Sequence, residues 1–138
     1  MIVLDTSPIL ASFDKRDPMH EQVQQVFRDI EEPLITTPLV LAEVDFLVTS
    51  RLGINAGIDS LIELAAGKFE ISHFGHQQIR QAIPLMEKYK DLGIGLTDAS
   101  LAVLANECDT QTIFTLDRRH FGTMKAINGK SFKLLPNC

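Results

Sequence analysis

Short apolar runs alternate along this chain with longer stretches of helical spacing. The runs have the length of buried strands, and turn-forming or charged residues bound them. We predict strands over Met1–Leu4, Leu34–Thr36, Phe69–Ser72, Thr112–Leu116 and Phe132–Leu135. Strands that alternate with helices in this way indicate an α/β fold with a mainly parallel sheet.

Proline and capping residues mark the first two helices. Ser7 is expected to cap a helix with Pro8 at its first position, where proline leaves no hydrogen bond unmade. Asp17-Pro18 repeats that start signal. The second helix should end before Pro33, and its apolar face consists of Val23, Val26, Phe27 and Ile30.

The later helices are predicted from the same signals. Thr37-Pro38 opens a helix that runs to about Leu52, with Gly53 as its stop. That helix is apolar almost all round, so we expect it to be buried. The remaining helices are predicted over Ala56–Ala65, over Gln77–Lys90 with a kink or break at Pro84, and over Asp98–Cys108 with Thr97 as cap.

Length and composition indicate a globular domain that we expect to span residues 1–138. Hydrophobic residues make up 45% of the chain and charged residues 22%. The most apolar stretch, Leu39–Val48, is too short to cross a bilayer and carries two acids, so no membrane segment is predicted. Cys108 and Cys138 have no metal-ligand spacing, which favours a reduced, cytoplasmic protein.

Charge is distributed unevenly along the chain. The net charge is −5, which argues against a protein that grips nucleic acid by bulk electrostatics. Residues 1–108 carry 8 basic and 16 acidic side chains, whereas residues 109–138 carry 5 and 2. The C-terminal segment can therefore face phosphates through Arg118 and Arg119, although solvated surface charge explains it equally well.

Two aspartates follow apolar strands directly. Asp5 ends the first predicted strand and Asp117 ends the fourth. In open parallel sheets a site forms beyond the carboxyl ends of the strands, where both residues are expected. The alternatives are that Asp5 caps the following helix and that Asp117 forms a turn.

Two further acids lie on predicted helices. Glu43 interrupts the apolar helix, where a buried charge is costly unless it is paired or bound to metal. Its alternative role is an ion pair with Arg51, eight residues further on. Asp98 lies in a first helical turn, which the helix dipole favours without any further function. The constellation of four acids is more specific than any member.

Clustered carboxylates suit one kind of chemistry. Mg²⁺ and Mn²⁺ prefer oxygen ligands, and without a cation such carboxylates would raise each other's pKa. Bound ions can activate water and neutralise charge on a scissile phosphate. The chain has no nucleophile elbow, Walker A, HExxH or GxGxxG motif. His73 and His76 alone approach a zinc spacing, and we expect both at the surface.

Four motifs in order resemble the PIN-domain family, and more narrowly the VapC-type toxins of toxin–antitoxin pairs. The resemblance covers nearly the whole chain. It rests on Ile2–Ser7, Thr37–Val44, Leu96–Ala102 and Phe114–Phe121.

This resemblance implies a three-layer α/β/α sandwich and a metal-dependent endoribonuclease. Asp5, Glu43 and Asp98 match the family's three central acids, and Asp117 matches a more variable fourth. The resemblance also implies supporting hydroxyls, a homodimer and a cognate antitoxin that inserts a helix and an arginine toward the acids. The supporting hydroxyls are those of Thr6, Ser7 and Thr115.

Three other functions stay open. A phosphatase with Asp5 as nucleophile would have a second acid two residues on, where this chain has Ser7. A non-catalytic module would hold a basic partner in the acidic pocket. A PIN nuclease can also act in RNA processing without an antitoxin.

Overall fold

A parallel five-stranded sheet forms the centre of the protein in the computed structural model, which describes residues 1–137. The strand order is β3-β2-β1-β4-β5, and all four neighbouring pairs are parallel. The strands are β1 (Ile2–Leu4), β2 (Leu34–Thr36), β3 (Glu70–Ile71), β4 (Thr112–Phe114) and β5 (Lys133–Leu135). The predicted α/β fold and every predicted strand are therefore confirmed, some of them with shorter bounds.

Helices flank this sheet. They are α1 (Thr6–Phe13), α2 (His20–Asp29), α3 (Pro38–Leu52), α4 (Ile54–Ala65), α5 (His76–Lys88), α6 (Leu96–Glu107) and α7 (Arg118–Thr123), with a 3₁₀ turn at Lys90–Leu92. Gly53 ends α3 as predicted. Its φ of 96° is a left-handed conformation that favours glycine, and it lets α4 begin at once.

Two predicted helix caps are wrong. The side chain of Asp5, not that of Ser7, caps α1 by accepting from the Thr6 N–H. Helix α6 begins at Leu96 with Gly95 as its N-cap, so Thr97 lies inside the first turn. In both cases the backbone turns into the helix earlier than the nearest hydroxyl residue suggested. The predicted start of α2 at Asp17-Pro18 is wrong as well, because α2 begins at His20 with Met19 as its N-cap.

Two further expectations about helices need correction, and one helix was not expected. The break at Pro84 is wrong because α5 runs through it, with Pro84 exposed so that water can reach the carbonyl that proline leaves unbonded. Helix α3 is not buried all round, since its fully buried residues form a single stripe and Phe46 is 67% exposed. Helix α7 was not predicted, because its six residues include a glycine and show no apolar period.

The core lies between the sheet and its helices. Strands β1 and β4 are its most buried strands, and Phe27 of α2 packs on Phe114 with ring centroids 4.9 Å apart. Helix α6 is buried continuously from Ala99 to Ala105, and its small residues let it lie close to β1. No helix within residues 1–137 is long and apolar enough to cross a membrane. Cys138 lies outside the described residues.

Parallel pairing brings the ends of three adjacent strands to one edge. Leu4 pairs with Phe114, so Asp5 lies beside Thr115. On the other side of β1, the Thr36 hydroxyl donates to the Leu4 carbonyl at 2.7 Å. We call this side of the molecule, where β1, β2 and β4 end, the carboxyl edge.

Replacing Phe114 by alanine tests this account of the core. Because Phe114 is fully buried, we expect Phe114→Ala to lower the free energy of unfolding by about 3–5 kcal/mol, measured by urea denaturation. Phe46→Ala is the control, since an exposed side chain should change that free energy by no more than about 0.5 kcal/mol. Equal losses in the two variants would contradict the assignment of the core.

Candidate metal centre

Asp5 is the most deeply buried acid at the carboxyl edge. Its carboxylate accepts from the Thr6 N–H at 2.6 Å and from the Thr115 hydroxyl at 2.6 Å. Burial raises the pKa of Asp5 to about 6; the two hydrogen bonds oppose this shift, and the charges of Asp98 and Glu43 add to it. Asp5 therefore caps α1 and also faces two other acids.

Thr115 joins two members of the candidate site. Its buried hydroxyl donates to Asp5 and accepts from the Asp117 N–H at 2.9 Å. Nearby, the Ser7 hydroxyl accepts from the Leu116 N–H at 2.9 Å, which fixes the start of α1 against the segment after β4. The Thr6 hydroxyl is buried and has no hydrogen-bond partner within residues 1–137, so this residue supports Asp5 through its backbone.

Asp98 and Asp117 meet at a histidine. His120 Nδ1 lies 2.7 Å from Asp98 Oδ2 and 2.9 Å from Asp117 Oδ2. Ionised carboxylates only accept hydrogen bonds, so Nδ1 donates to Asp98, whereas its approach to Asp117 is a charge contact. Burial raises the pKa of Asp98; His120 opposes this shift, and the charges of Asp117 and Glu43 add to it.

His120 is the site residue that the sequence reasoning missed. Asp117 caps α7 by accepting from the His120 N–H at 3.1 Å, which turns the imidazole back toward the acids. One potential ligand atom from each of Asp98, Asp117 and His120 lies within 4.8 Å of the others. The i, i+3 spacing from Asp117 would have revealed this only if α7 had been predicted. His73 and His76 are exposed, as predicted.

Glu43 lies half-buried on α3, beside its buried stripe. Its charge adds to the raised pKa of both Asp5 and Asp98, so Glu43 lies within electrostatic reach of the two acids. Within the part of the chain that the structure describes, Glu43 forms no ion pair with Arg51 or with any other cation. The alternative explanation of Glu43 as half of a structural ion pair is therefore wrong.

The structure brings Asp98 and Asp117 together at His120, and Thr115 links Asp5 to Asp117. Glu43 lies within electrostatic reach of Asp5 and Asp98. We call Asp5, Glu43, Asp98 and Asp117 the acid cluster. No lysine or arginine among the described residues pairs with any member, and His120 is the one titratable donor that contacts it. A half-buried set of oxygen ligands without a compensating cation fits Mg²⁺ or Mn²⁺, which prefer such ligands.

The chain belongs to the PIN-domain family, whose model matches residues 2–126. It is similar to Ribonuclease VapC26 of Mycobacterium tuberculosis, with 41% identity over 135 residues that cover 98% of this chain and 100% of that protein. The fold is similar to that of VapC20 of the same organism, a sarcin-ricin loop cleaving toxin, with a TM-score of 0.82, 16% identity, and coverage of 92% of this chain and 98% of that one.

A second solved structure with this fold is the DNA-bound VapBC of Salmonella typhimurium. Its TM-score is 0.71 at 15% identity, and the match covers 96% of each chain. At these identities the two solved structures establish the fold alone. Family membership rests on the domain match and on the VapC26 relative.

The raised pKa of Asp5 predicts how stability depends on pH in metal-free protein. Folded Asp5 binds its proton up to about pH 6, whereas the unfolded residue releases it near 3.8. The folded state is thus favoured by protonation below 3.8, and this contribution is lost as pH rises to about 6. We expect the parent's free energy of unfolding to fall through this window by up to about 3 kcal/mol relative to that of Asp5→Asn.

Urea denaturation in EDTA between pH 4 and 7 measures this difference. Asp5→Asn should be the more stable protein at pH 7, because it carries no buried charge to desolvate. Asp14→Asn is the control, since Asp14 is a partly exposed acid whose pKa is lowered, chiefly by the backbone N–H of Arg16. Parallel curves for the parent and Asp5→Asn would contradict the environment described for Asp5.

Proposed function

We propose that this chain is an endoribonuclease that hydrolyses RNA phosphodiester bonds with Mg²⁺ or Mn²⁺ held by the acid cluster. The observation that supports the proposal is that Asp98 and Asp117 meet at His120 and that Thr115 links Asp5 to Asp117, with no compensating lysine or arginine among the described residues. The name of the VapC26 relative, a ribonuclease at 41% identity, supports RNA as the substrate. A phosphatase using Asp5 is disfavoured, because Ser7 occupies the position where such an enzyme would have a second acid.

Each acid has a position that suits a distinct role. Asp5, Glu43 and Asp98 would hold the ion directly, and Asp117 would act through water or toward a second ion. When bound, such an ion activates a water molecule and neutralises charge developing on the phosphate. Thr115 and the Thr6 N–H fix the carboxylate plane of Asp5. His120 fixes the orientation of Asp98 relative to Asp117.

Arg118 and Arg119 are proposed as the RNA contacts. They occupy the first turn of α7, directly after Asp117, and both are exposed. The Arg118 guanidinium donates to the Pro136 carbonyl, which holds it against the segment after β5. Arg119 forms no ion pair within residues 1–137, so it is the better placed of the two to meet a phosphate.

The proposed partners are an antitoxin and a second copy of this chain. Solved structures with this fold include the VapBC complexes of Rickettsia felis and Salmonella typhimurium, which supports a protein partner. An arginine from such a partner would form a bidentate ion pair with the acid cluster and displace the ion. The homodimer, the cytoplasmic location and the single domain over residues 1–138 stay predictions.

Two variants in the acid cluster test the nuclease. We expect Asp98→Asn and Glu43→Gln to reduce cleavage of a structured RNA in Mg²⁺ or Mn²⁺ by at least about 100-fold, since even outer residues of metal sites contribute 10–100-fold. Gel analysis of RNA fragments measures the loss, and EDTA should abolish the parent's activity.

Asp45→Asn is the matched control for Glu43→Gln. Asp45 lies two residues further along α3, and a helix turns by roughly 200° over that distance, so it lies on another side. This variant should cleave like the parent. Equal cleavage by parent and Asp98→Asn would reject the assigned site. A parent that neither binds Mn²⁺ nor cuts RNA would instead support the non-catalytic module.

Replacing Arg119 tests the proposed RNA contact. Arg119→Ala should raise KM for RNA and leave kcat unchanged. It should also reduce the slope of log KM against log salt concentration by about 1, because one phosphate contact is lost. Arg16→Ala is the control, because Arg16 lies beyond the C-terminal end of α1, away from Asp5. An Arg119→Ala variant with the parent's KM and salt slope would remove this residue from the RNA surface.

A further inference from the structure

Two hydroxyl groups form a buried contact between α3 and α6. Thr37 Oγ1 lies 3.0 Å from Ser100 Oγ, and both residues are 0% exposed. Ser100 Oγ also lies 2.6 Å from the carbonyl oxygen of Thr97. A carbonyl only accepts, so the single hydroxyl hydrogen of Ser100 points to Thr97, and Thr37 is the donor to Ser100. The result is a directed chain from Thr37 through Ser100 to Thr97, which we call the hydroxyl relay.

The Thr37 hydroxyl makes this contact instead of the capping hydrogen bond that its position favours. Thr37 is the N-cap of α3, where a threonine hydroxyl ordinarily accepts from a backbone N–H of the first turn. Its side chain makes no such capping bond. The ordinary cap stabilises a helix by about 1 kcal/mol, so the sequence departs here from the locally favoured arrangement. Such departures concentrate at functional sites.

The relay joins the backbone segments that carry two members of the acid cluster. At its α3 end, Thr37 begins the helix that carries Glu43 in its second turn. At its α6 end, the Thr97 carbonyl belongs to the peptide unit that leads directly into Asp98. Fixing that carbonyl fixes the plane from which the Asp98 side chain projects. The relay therefore controls the placement of Asp98 relative to Glu43.

Stability alone does not require these hydroxyls. A buried hydrogen-bonded pair that is replaced on both sides by apolar groups of similar shape is often close to neutral. Val40, Val44 and Val48 are fully buried on the same helix, so valine is well accommodated there. An apolar pair would not hold the Thr97 carbonyl in one orientation, because apolar contacts are not directional.

We infer that Thr37 and Ser100 are positioning residues that set the geometry of the divalent-cation site through the Thr97–Asp98 peptide. The inference rests on the proposed function, since it needs the acid cluster to bind the ion. Neither hydroxyl touches the ion or the substrate. Their effect is on how well Glu43 and Asp98 converge, and therefore on metal affinity before any RNA is present.

Calorimetric titration of Mn²⁺ into the metal-free chain, without RNA, measures this effect. We expect Ser100→Ala and Thr37→Val each to raise the Kd for Mn²⁺ by about 10-fold, as for other supporting residues of metal sites. The Kd of the double variant for Mn²⁺ should not exceed the higher of the two single-variant Kd values, because both changes interrupt one relay. Thr37→Ser keeps the hydroxyl and should bind Mn²⁺ like the parent.

Ser60→Ala is the matched control for a merely structural effect. Ser60 is 2% exposed and its hydroxyl donates to the carbonyl of Gly57, three residues earlier, at 2.7 Å. This local bond matches that of Ser100, but it lies in α4, which carries no member of the acid cluster. Ser60→Ala should lower the midpoint of metal-free thermal unfolding as much as Ser100→Ala does, and leave the Kd for Mn²⁺ unchanged.

The outcomes separate the relay from the metal site. An unchanged Kd in Ser100→Ala beside a parent that binds Mn²⁺ would overturn the relay and leave the nuclease proposal standing. A parent that binds no Mn²⁺ would overturn both. Equal weakening by Ser60→Ala and Ser100→Ala would show a general loss of stability and would also overturn the relay.

Discussion

The burial of carboxylates at the carboxyl edge is the constraint on which the rest of this structure depends. Asp5 and Asp98 each have a raised pKa, because burial and neighbouring acids disfavour their charge. A protein selected only for stability would pair them with arginine or lysine. Here the cluster is held by groups without a full positive charge, the Thr115 hydroxyl and the Thr6 N–H, together with the imidazole of His120. These donors orient the acids without a lysine or arginine to neutralise them.

The topology of the sheet explains how so much charge can be gathered. Parallel strands end at one edge, and the helices that follow them begin there, so the positive ends of helix dipoles face the acids. Asp5 caps α1, Asp98 lies in the first turn of α6, and Asp117 caps α7. Each such end favours a nearby anion by roughly 0.3–1 kcal/mol, which reduces the repulsion without neutralising it. For Asp5 and Asp117, a backbone N–H of the same turn also holds the carboxylate in place.

Site residues that stand out from a local sequence pattern or from sheet topology could be predicted from the sequence. Residues that reach the site through contacts between distant parts of the chain could not. Asp5 and Asp117 were found because acids after apolar strands stand out, and the rule for parallel sheets places both at one edge. Glu43 stood out for the same reason on an apolar helix. His120 was missed because α7 exists mainly through the Asp117 cap and the packing of Phe121. The bond from Thr37 to Ser100 spans 63 positions and leaves no local pattern, so sequence reasoning assigned Thr37 an ordinary cap.

Net charge is a poor guide to this protein's partners because its two signs are separated along the chain. Most of the acidic excess lies before residue 109, whereas the chain beyond Asp117 carries five basic side chains and no acid. The charge of the chain changes from acidic to basic at Asp117. This residue is the last member of the acid cluster, and it caps the helix that carries Arg119. A phosphate chain approaching this edge would meet guanidinium groups on one side. On the other it would meet carboxylates, which attract it only when a divalent cation screens them. Acidity at the centre and basicity beside it are therefore two parts of one arrangement, and under the proposed function RNA affinity would depend on metal occupancy more than on the charge of the whole chain.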